Sequence, residues 1–178
     1  MTMMELNRLT TQYDPMQDRI RLTGELKSGQ SVVLWLTQRL LNRLVPKISQ
    51  QLEKPSASKA NVPSVQAHLQ QSFAQQRART ELPRQVPVAT EDSSIQWLVK
   101  SVGLKANAKA NTDGIRLVFT GFADAEQAAL ALTATPLRQW LNILHDQYCV
   151  AGWATTTWPD WVAESRPLTA ADRSAALH

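Results

Sequence analysis

Cysteine is almost absent: Cys149 is the only one in 178 residues. No intrachain disulfide can form, which fits a reducing compartment. Histidine is nearly as scarce. His68, His145 and His178 lie far apart, and no Cys or His pair has the spacing of metal ligands, so neither a metal nor a cofactor is expected. His145 and Asp146 are neighbours on an expected helix, where adjacent side chains point in different directions and form no dyad. The six glycines are scattered singly, so there is no glycine-rich phosphate loop. There is also no Gly-x-Ser-x-Gly elbow. Cys149 falls at a helix C-terminal end, where the dipole disfavours a thiolate, and reads as a small packing residue. The acidic residues are dispersed and form no paired carboxylates. With no convergent catalytic set, the chain is not expected to be an enzyme.

Long apolar runs are missing too. The N-terminal MTMMELNRLT has no apolar core of signal-peptide length. No segment reaches the roughly 18 apolar residues of a membrane helix. A soluble, cytoplasmic protein without membrane contact is expected.

What the sequence does have is an internal echo. DRIRLTGELKSGQSVVLWLTQRLLNRLVPK begins at Asp18, and DGIRLVFTGFADAEQAALALTATPLRQWLNILHDQY begins at Asp113. IRL at 20–22 answers IRL at 115–117, and LWLT at 34–37 answers LALT at 130–133. The offset changes from 95 to 96, which places one extra residue in the second hairpin turn, where an insertion costs least.

Each copy reads as strands followed by a helix. Leu6 to Tyr13 is a strand, and Asp14-Pro15 a turn. Arg19 to Leu26 alternates, with Ile20, Leu22 and Leu26 on one face and Arg19, Arg21, Thr23 and Glu25 on the other, the period of a half-buried strand. Gly29 closes a hairpin by taking positive φ. Ser31 to Leu36 follows, with Val32, Leu34 and Leu36 opposite Val33 and Trp35. Thr37 is placed to cap a helix. Leu40, Leu41, Leu44, Val45, Ile48 and Leu52 form that helix's apolar stripe, and Pro46 inside it should kink or split it. In the second copy, Ile95–Leu104, Ile115–Phe122 and Gln127–Leu132 are the expected strands, around a polar loop at 105–113. Thr135-Pro136 starts the helix, Leu137, Trp140, Leu141, Leu144 and Tyr148 form its buried face, and Gly152 ends it.

The expected organisation is therefore α+β: a duplicated βββα unit, antiparallel sheets with helices packed on one face. Residues 1–54 form the first unit, and 95–162 the second with a Trp-rich arm. Residues 55–94 are a linker holding a Gln-rich helix at 64–80, loosely attached through Val65, Leu69 and Phe73. Residues 81–94 are extended, because Pro83 and Pro87 break the helix. Residues 163–178 are a small, polar, flexible tail. Val33, Trp35, Val118 and Phe122 face away from the main apolar set and imply partial cover of the second sheet face.

Charge gives one candidate surface. The net charge is +4, with the excess concentrated in residues 1–54. Arg39, Arg43 and Lys47 recur at i, i+4 and i+8 beside the apolar stripe. Arg19 and Arg21 share an outward strand face with Trp35. Arginines and an aromatic on a sheet can bind single-stranded nucleic acid, with bases stacking and phosphates meeting cations. A solvated helix face explains the same stripe more simply. The second copy lacks the set, with Arg138, Asn142 and Asp146 on its helix and Ala131 in place of Trp35. Trp153, Trp158 and Trp161 admit two roles, a core-filling arm or an exposed anchor for a partner, and the cost of exposing tryptophan favours the first.

YDPMQDRIRL followed by VVLWLTQRLLNRL resembles a set of uncharacterised proteobacterial proteins that share a DR-I/L-x-L strand and an LWLT-R/Q-R-L strand–helix junction. The resemblance covers residues 13–44, and the group has no activity to carry over. In topology the tandem also looks like the PUR-repeat and whirly single-strand binders, but it lacks their four clear strands per repeat. The expected function is a non-catalytic binding or assembly module acting through protein–protein contacts, with self-association. The alternative is single-stranded nucleic-acid binding through Arg19, Arg21, Trp35, Arg39, Arg43 and Lys47.

Overall fold

A computed structural model describes residues 3–54, 63–106 and 114–165. The expected loop at 55–63 lies outside these residues except for Pro63, as do the second part of the 105–113 loop, most of the 163–178 tail and His178. The elements are β1 (Met4–Asp14), β2 (Arg19–Leu26), β3 (Ser31–Leu36), α1 (Gln38–Glu53), α2 (Ser64–Thr80), β4 (Ile95–Leu98), β5 (Ser101–Ala106), β6 (Gly114–Thr120), β7 (Gln127–Thr133), α3 (Ala134–Ala151) and α4 (Asp160–Ala163). The class is α+β.

The alternating strands behave as their period requires. Ile20 and Leu22 of β2, and Val32, Leu34 and Leu36 of β3, are fully buried. Gly29 turns the hairpin at φ 85°. Gly24 is needed for a different reason: a Cβ there would stand 2.6 Å from Leu6 Cδ2, so the absence of a side chain lets Leu6 lie across β2.

The strands form one seven-stranded sheet in the order β4-β3-β2-β1-β7-β6-β5. It is mixed, which corrects the expectation of antiparallel sheets: β1 pairs with β7, and β3 with β4, in parallel. The expected strand at Ile95–Leu104 is also two strands. β4 and β5 stand at opposite ends of the sheet order, yet only Val99 and Lys100 separate them. Val99 N–H donates to Trp35 O at 2.9 Å, and Lys100 N–H to Thr120 O at 2.8 Å. The sheet thus curls until its two end strands meet on one continuous segment.

The inside of the curl is the core. Leu22, Leu34, Trp97, Leu117, Phe119 and Leu130 meet Leu41, Leu44 and Ile48 of α1, and Leu137, Leu141, Leu144 and Tyr148 of α3, in one cluster. Thr37 caps α1, accepting from Leu40 N–H at 3.2 Å. Pro46 does not split α1, which runs unbroken from Gln38 to Glu53. A proline inside a helix costs about 3 kcal/mol. Leu44, Val45 and Ile48 are buried around it, and each buried aliphatic contributes about 1.5–3 kcal/mol, so packing outweighs the break. α3 begins at Ala134, two residues ahead of Pro136, which sits in the first turn where its missing N–H leaves no bond unmade. Gly152 ends α3 at φ 68°, and Trp153 N–H reaches back to Tyr148 O at 3.0 Å.

α2 is a helix where expected but is turned over. Val65, Leu69 and Phe73 are 72%, 49% and 68% exposed, while Gln75 and Ala78 are buried. Gln75 Nε2 donates to Arg138 O at 2.9 Å, Gln139 Nε2 to Ala78 O at 3.0 Å, and Arg138 to Gln71. The helix is fixed by amide hydrogen bonds to α3 rather than by its apolar stripe.

After α2, residues 82–90 run without regular structure as a strap over the outer face of β1 and β2. Arg8 Nη1 donates to Val86 O at 2.9 Å, Val88 N–H to Thr10 Oγ1 at 2.8 Å, and Arg21 Nη2 to Thr90 Oγ1 at 3.0 Å. On the outward face Val33 and Val118 are buried and Trp35 is half-buried, whereas Phe122 is exposed. At the C-terminal side, Trp158 and Trp161 are buried. Tyr148 makes edge contacts with Trp153 and Trp158, and Arg138 lies 5.3 Å from the Trp161 ring. The tryptophan arm fills core.

A candidate binding groove between two diverging strands

The parallel pairing of β1 with β7 is short, covering only Met4 with Ala128 and Glu5 with Ala129. β1 continues to Asp14, following β2, and β7 continues to Thr133, following β6. A bulge between Leu6 and Arg8 bends β1 at the point of divergence. The opening holds a groove of 610 Å³ with four walls. β1 contributes Leu9 and Thr11, β7 contributes Leu130 and Leu132, α3 contributes Trp140 and Ile143, and the strap contributes Val86 and Val88. The volume falls in the range of ordinary binding pockets, about 300–1,000 Å³.

The backbone on the β1 side is directed into this opening. Tyr13 stands opposite Ile20 of β2, yet its N–H donates to Gln147 Oε1 of α3 at 2.7 Å. Along an antiparallel pair, backbone groups alternate between the two neighbours. Thr11 and Leu9, two and four residues before Tyr13, therefore also turn N–H and C=O away from β2. The pairing with β7 covers Met4 and Glu5 only, so neither Leu9 nor Thr11 is paired with a strand on that side. The Thr11 hydroxyl accepts from Trp140 Nε1 at 3.1 Å, which ties the floor of the groove to α3.

Electrostatics at the mouth are balanced. Arg8 Nη2 lies 2.8 Å from Glu25 Oε2. The hydrogen bond from Arg8 holds the Glu25 carboxyl below its usual range, and Glu25 raises the Arg8 pKa in return. Glu5 and Arg116 pair at the closed end, where β1 and β7 meet. Between these two neutralised pairs the lining is mainly apolar, with Asn7, Thr10, Gln85 and Gln139 among its polar members.

Of the six residues singled out in the sequence, the fold brings Arg21 and Trp35 together. They are direct cross-strand partners, with the guanidinium carbon 5.9 Å from the ring centroid. Trp35 Nε1 donates to Gln96 Oε1 at 3.2 Å. Arg19 pairs in register with Asp14 at the turn. Arg39, Arg43 and Lys47 form an exposed stripe on α1. Among the described residues no hydrogen bond or ion pair joins that stripe to Arg21 or Trp35. The groove itself was not legible in the sequence. Leu9, Leu130 and Leu132 carry ordinary strand periodicity, and only Pro83 and Pro87 signalled the extended segment that walls it.

Among the described residues no three His, Cys, Asp or Glu side chains are grouped to hold a metal ion, and no helix is long and apolar enough to cross a membrane. The fold and groove define an α+β protein with a curled mixed sheet and a split seam. No protein-family model matches the chain, and no curated protein or solved structure matches it either.

Proposed function

We propose that this protein is a non-catalytic cytoplasmic binding or assembly module that acts through protein–protein contacts, with the groove between β1 and β7 as its contact site. The observation that carries this reading is the pairing of a mainly apolar, four-walled opening with main-chain groups of Leu9 and Thr11 turned into it. Such a surface favours a partner that supplies apolar side chains and backbone hydrogen bonds together. The single cysteine supports the cytoplasmic location. Self-association is part of the proposal and has the exposed Val65, Leu69 and Phe73 stripe of α2 in its favour.

Duplication of a βββα unit belongs to the same reading. In β2–β3, Ile20 pairs with Leu36 and Leu22 with Leu34. In β6–β7, Ile115 pairs with Leu132 and Leu117 with Leu130. Each hairpin then leads into a long helix, α1 or α3.

Single-stranded nucleic-acid binding through Arg19, Arg21, Trp35, Arg39, Arg43 and Lys47 is the second reading, favoured by the half-buried Trp35 beside Arg21. Against it, Arg21 is already engaged by the Trp35 ring and by Thr90. Capture from the native lysate, with and without nuclease, separates the two. Ala131→Trp fills the groove from an exposed position on β7, and Arg39→Ala with Arg43→Ala strips the helix stripe. A nuclease-resistant partner lost only with Ala131→Trp supports the groove. Nucleic acid lost only with the double alanine variant, and with a steep dependence on salt, would replace this reading with the second.

A further inference from the structure

We infer that the groove's ligand is an extended, uncharged apolar peptide of another protein, which enters as an extra strand between β1 and β7. This inference rests on the reading of the groove as the contact site and names what that site takes.

Both side walls are strands. Beyond the short pairing at Met4 and Glu5, each is paired on its far side only, β1 with β2 and β7 with β6. A compact ligand could fill the volume, but an extended chain also meets the main chain of Leu9 and Thr11 on β1 and that of Ala131 on β7, which alternation turns away from β6. An extended chain presents donors and acceptors on both of its edges at the strand repeat, about 3.3 Å per residue. On β1, Tyr13 N–H is met by a side chain, Gln147, in the place a neighbouring strand would take.

The other two walls set the ligand's side chains. Alternate residues of an inserted strand would face α3, where Trp140 and Ile143 stand, and the strap, where Val86 and Val88 stand. Both of these faces are mainly apolar, with Gln139 on α3 and Gln85 on the strap as their polar members, and a strand covered on two mainly apolar faces reads as an apolar run rather than an alternating one. The charged groups nearest the opening, Arg8 with Glu25 and Arg116 with Glu5, are already paired. A ligand charge therefore has no partner inside. β7 extends four residues beyond its last pairing with β1, from Ala129 to Thr133. The strand core of the ligand is then about four residues, on the order of 13 Å, and Val, Ile and Thr suit it best.

The test uses the full-length protein and a random twelve-residue peptide library, selected on wild type and counter-selected on Ala131→Trp. Enrichment of uncharged runs of about four β-branched or aliphatic residues is expected. A selected peptide should slow amide exchange of Leu9 and Thr11 by about tenfold or more. Methylating its backbone nitrogens one at a time should weaken binding about tenfold at alternate positions and little at those between, a pattern that leaves the protein untouched and so does not depend on a variant folding. Peptides that compete at the groove without protecting Leu9 and Thr11, or without the alternating methylation pattern, overturn strand insertion while leaving the groove as a contact site. No enrichment over Ala131→Trp also overturns the inference. Loss of the lysate partner with Ala131→Trp would then show that the groove takes a different ligand, and its retention would remove the groove reading as well.

Discussion

The backbone N–H of Tyr13 donates to the side-chain oxygen of Gln147, 2.7 Å away and 134 residues later in the chain. This one bond shows how the molecule treats the place where β1 leaves β7. A strand edge that lost its neighbour is served by a helix side chain at one residue and left facing a groove at the residues before it. Gln147→Leu keeps the approximate size of the side chain and removes the acceptor. The expected loss is about 1–3 kcal/mol of stability, the cost of a partly buried donor left unmatched. Denaturant unfolding should show it, with faster exchange of the Tyr13 amide. An unchanged midpoint would mean that water replaces Gln147 there without cost.

The ion pair at the mouth of the groove is expected to tie stability to pH through Glu25. Arg8 holds Glu25 in its ionised form and also donates to Val86 O. The Glu25 pKa is lowered, first by its hydrogen bond with Arg8. Its contribution is therefore fully present above the ordinary glutamate value near 4.3 and is lost as pH falls through the lowered folded value. Melting temperatures of wild type and Glu25→Gln should differ at neutral pH and converge under acid conditions. A constant difference down to the most acid condition would remove the pair from the account.

Tyr148 should act at the other end of the scale. Its hydroxyl donates to Asn42 Oδ1 at 2.9 Å and joins α3 to α1. Burial pushes its pKa well above the ordinary phenol value. The sign is that of a group protonated more strongly when folded: its contribution is full below about pH 10 and falls as pH rises towards the raised value. Tyr148→Phe is expected to cost about 1 kcal/mol at neutral pH, through the lost hydrogen bond. It should also flatten the fall in stability above pH 10, measured by unfolding at several alkaline pH values. A variant as alkali-sensitive as wild type would place the sensitivity elsewhere.

The sequence alone determined the local structure, because short-range rules govern it. Alternation at period two marked β2 and β3, the apolar stripe marked α1, and Thr37, Gly29 and Gly152 marked a cap, a turn and a helix end. Each depends on the residue itself and a few neighbours, so each can be read from the chain. The fate of α2 depended instead on distant partners. Its Val65, Leu69 and Phe73 stripe pointed one way, while Gln71, Gln75 and Ala78 found hydrogen bonds on α3 and turned the helix the other way. Pro46 shows the same priority, since its local penalty was overcome by the burial of Leu44, Val45 and Ile48. The groove is the clearest case. Nothing in the pattern of Leu9, Thr11, Leu130 or Leu132 distinguishes a strand whose neighbour is present from one whose neighbour has diverged. Pairing partners are chosen across the whole curled sheet, by how β4 and β5 join its edges and how far β1 can follow β7 before it must follow β2. Only the tertiary structure decided that.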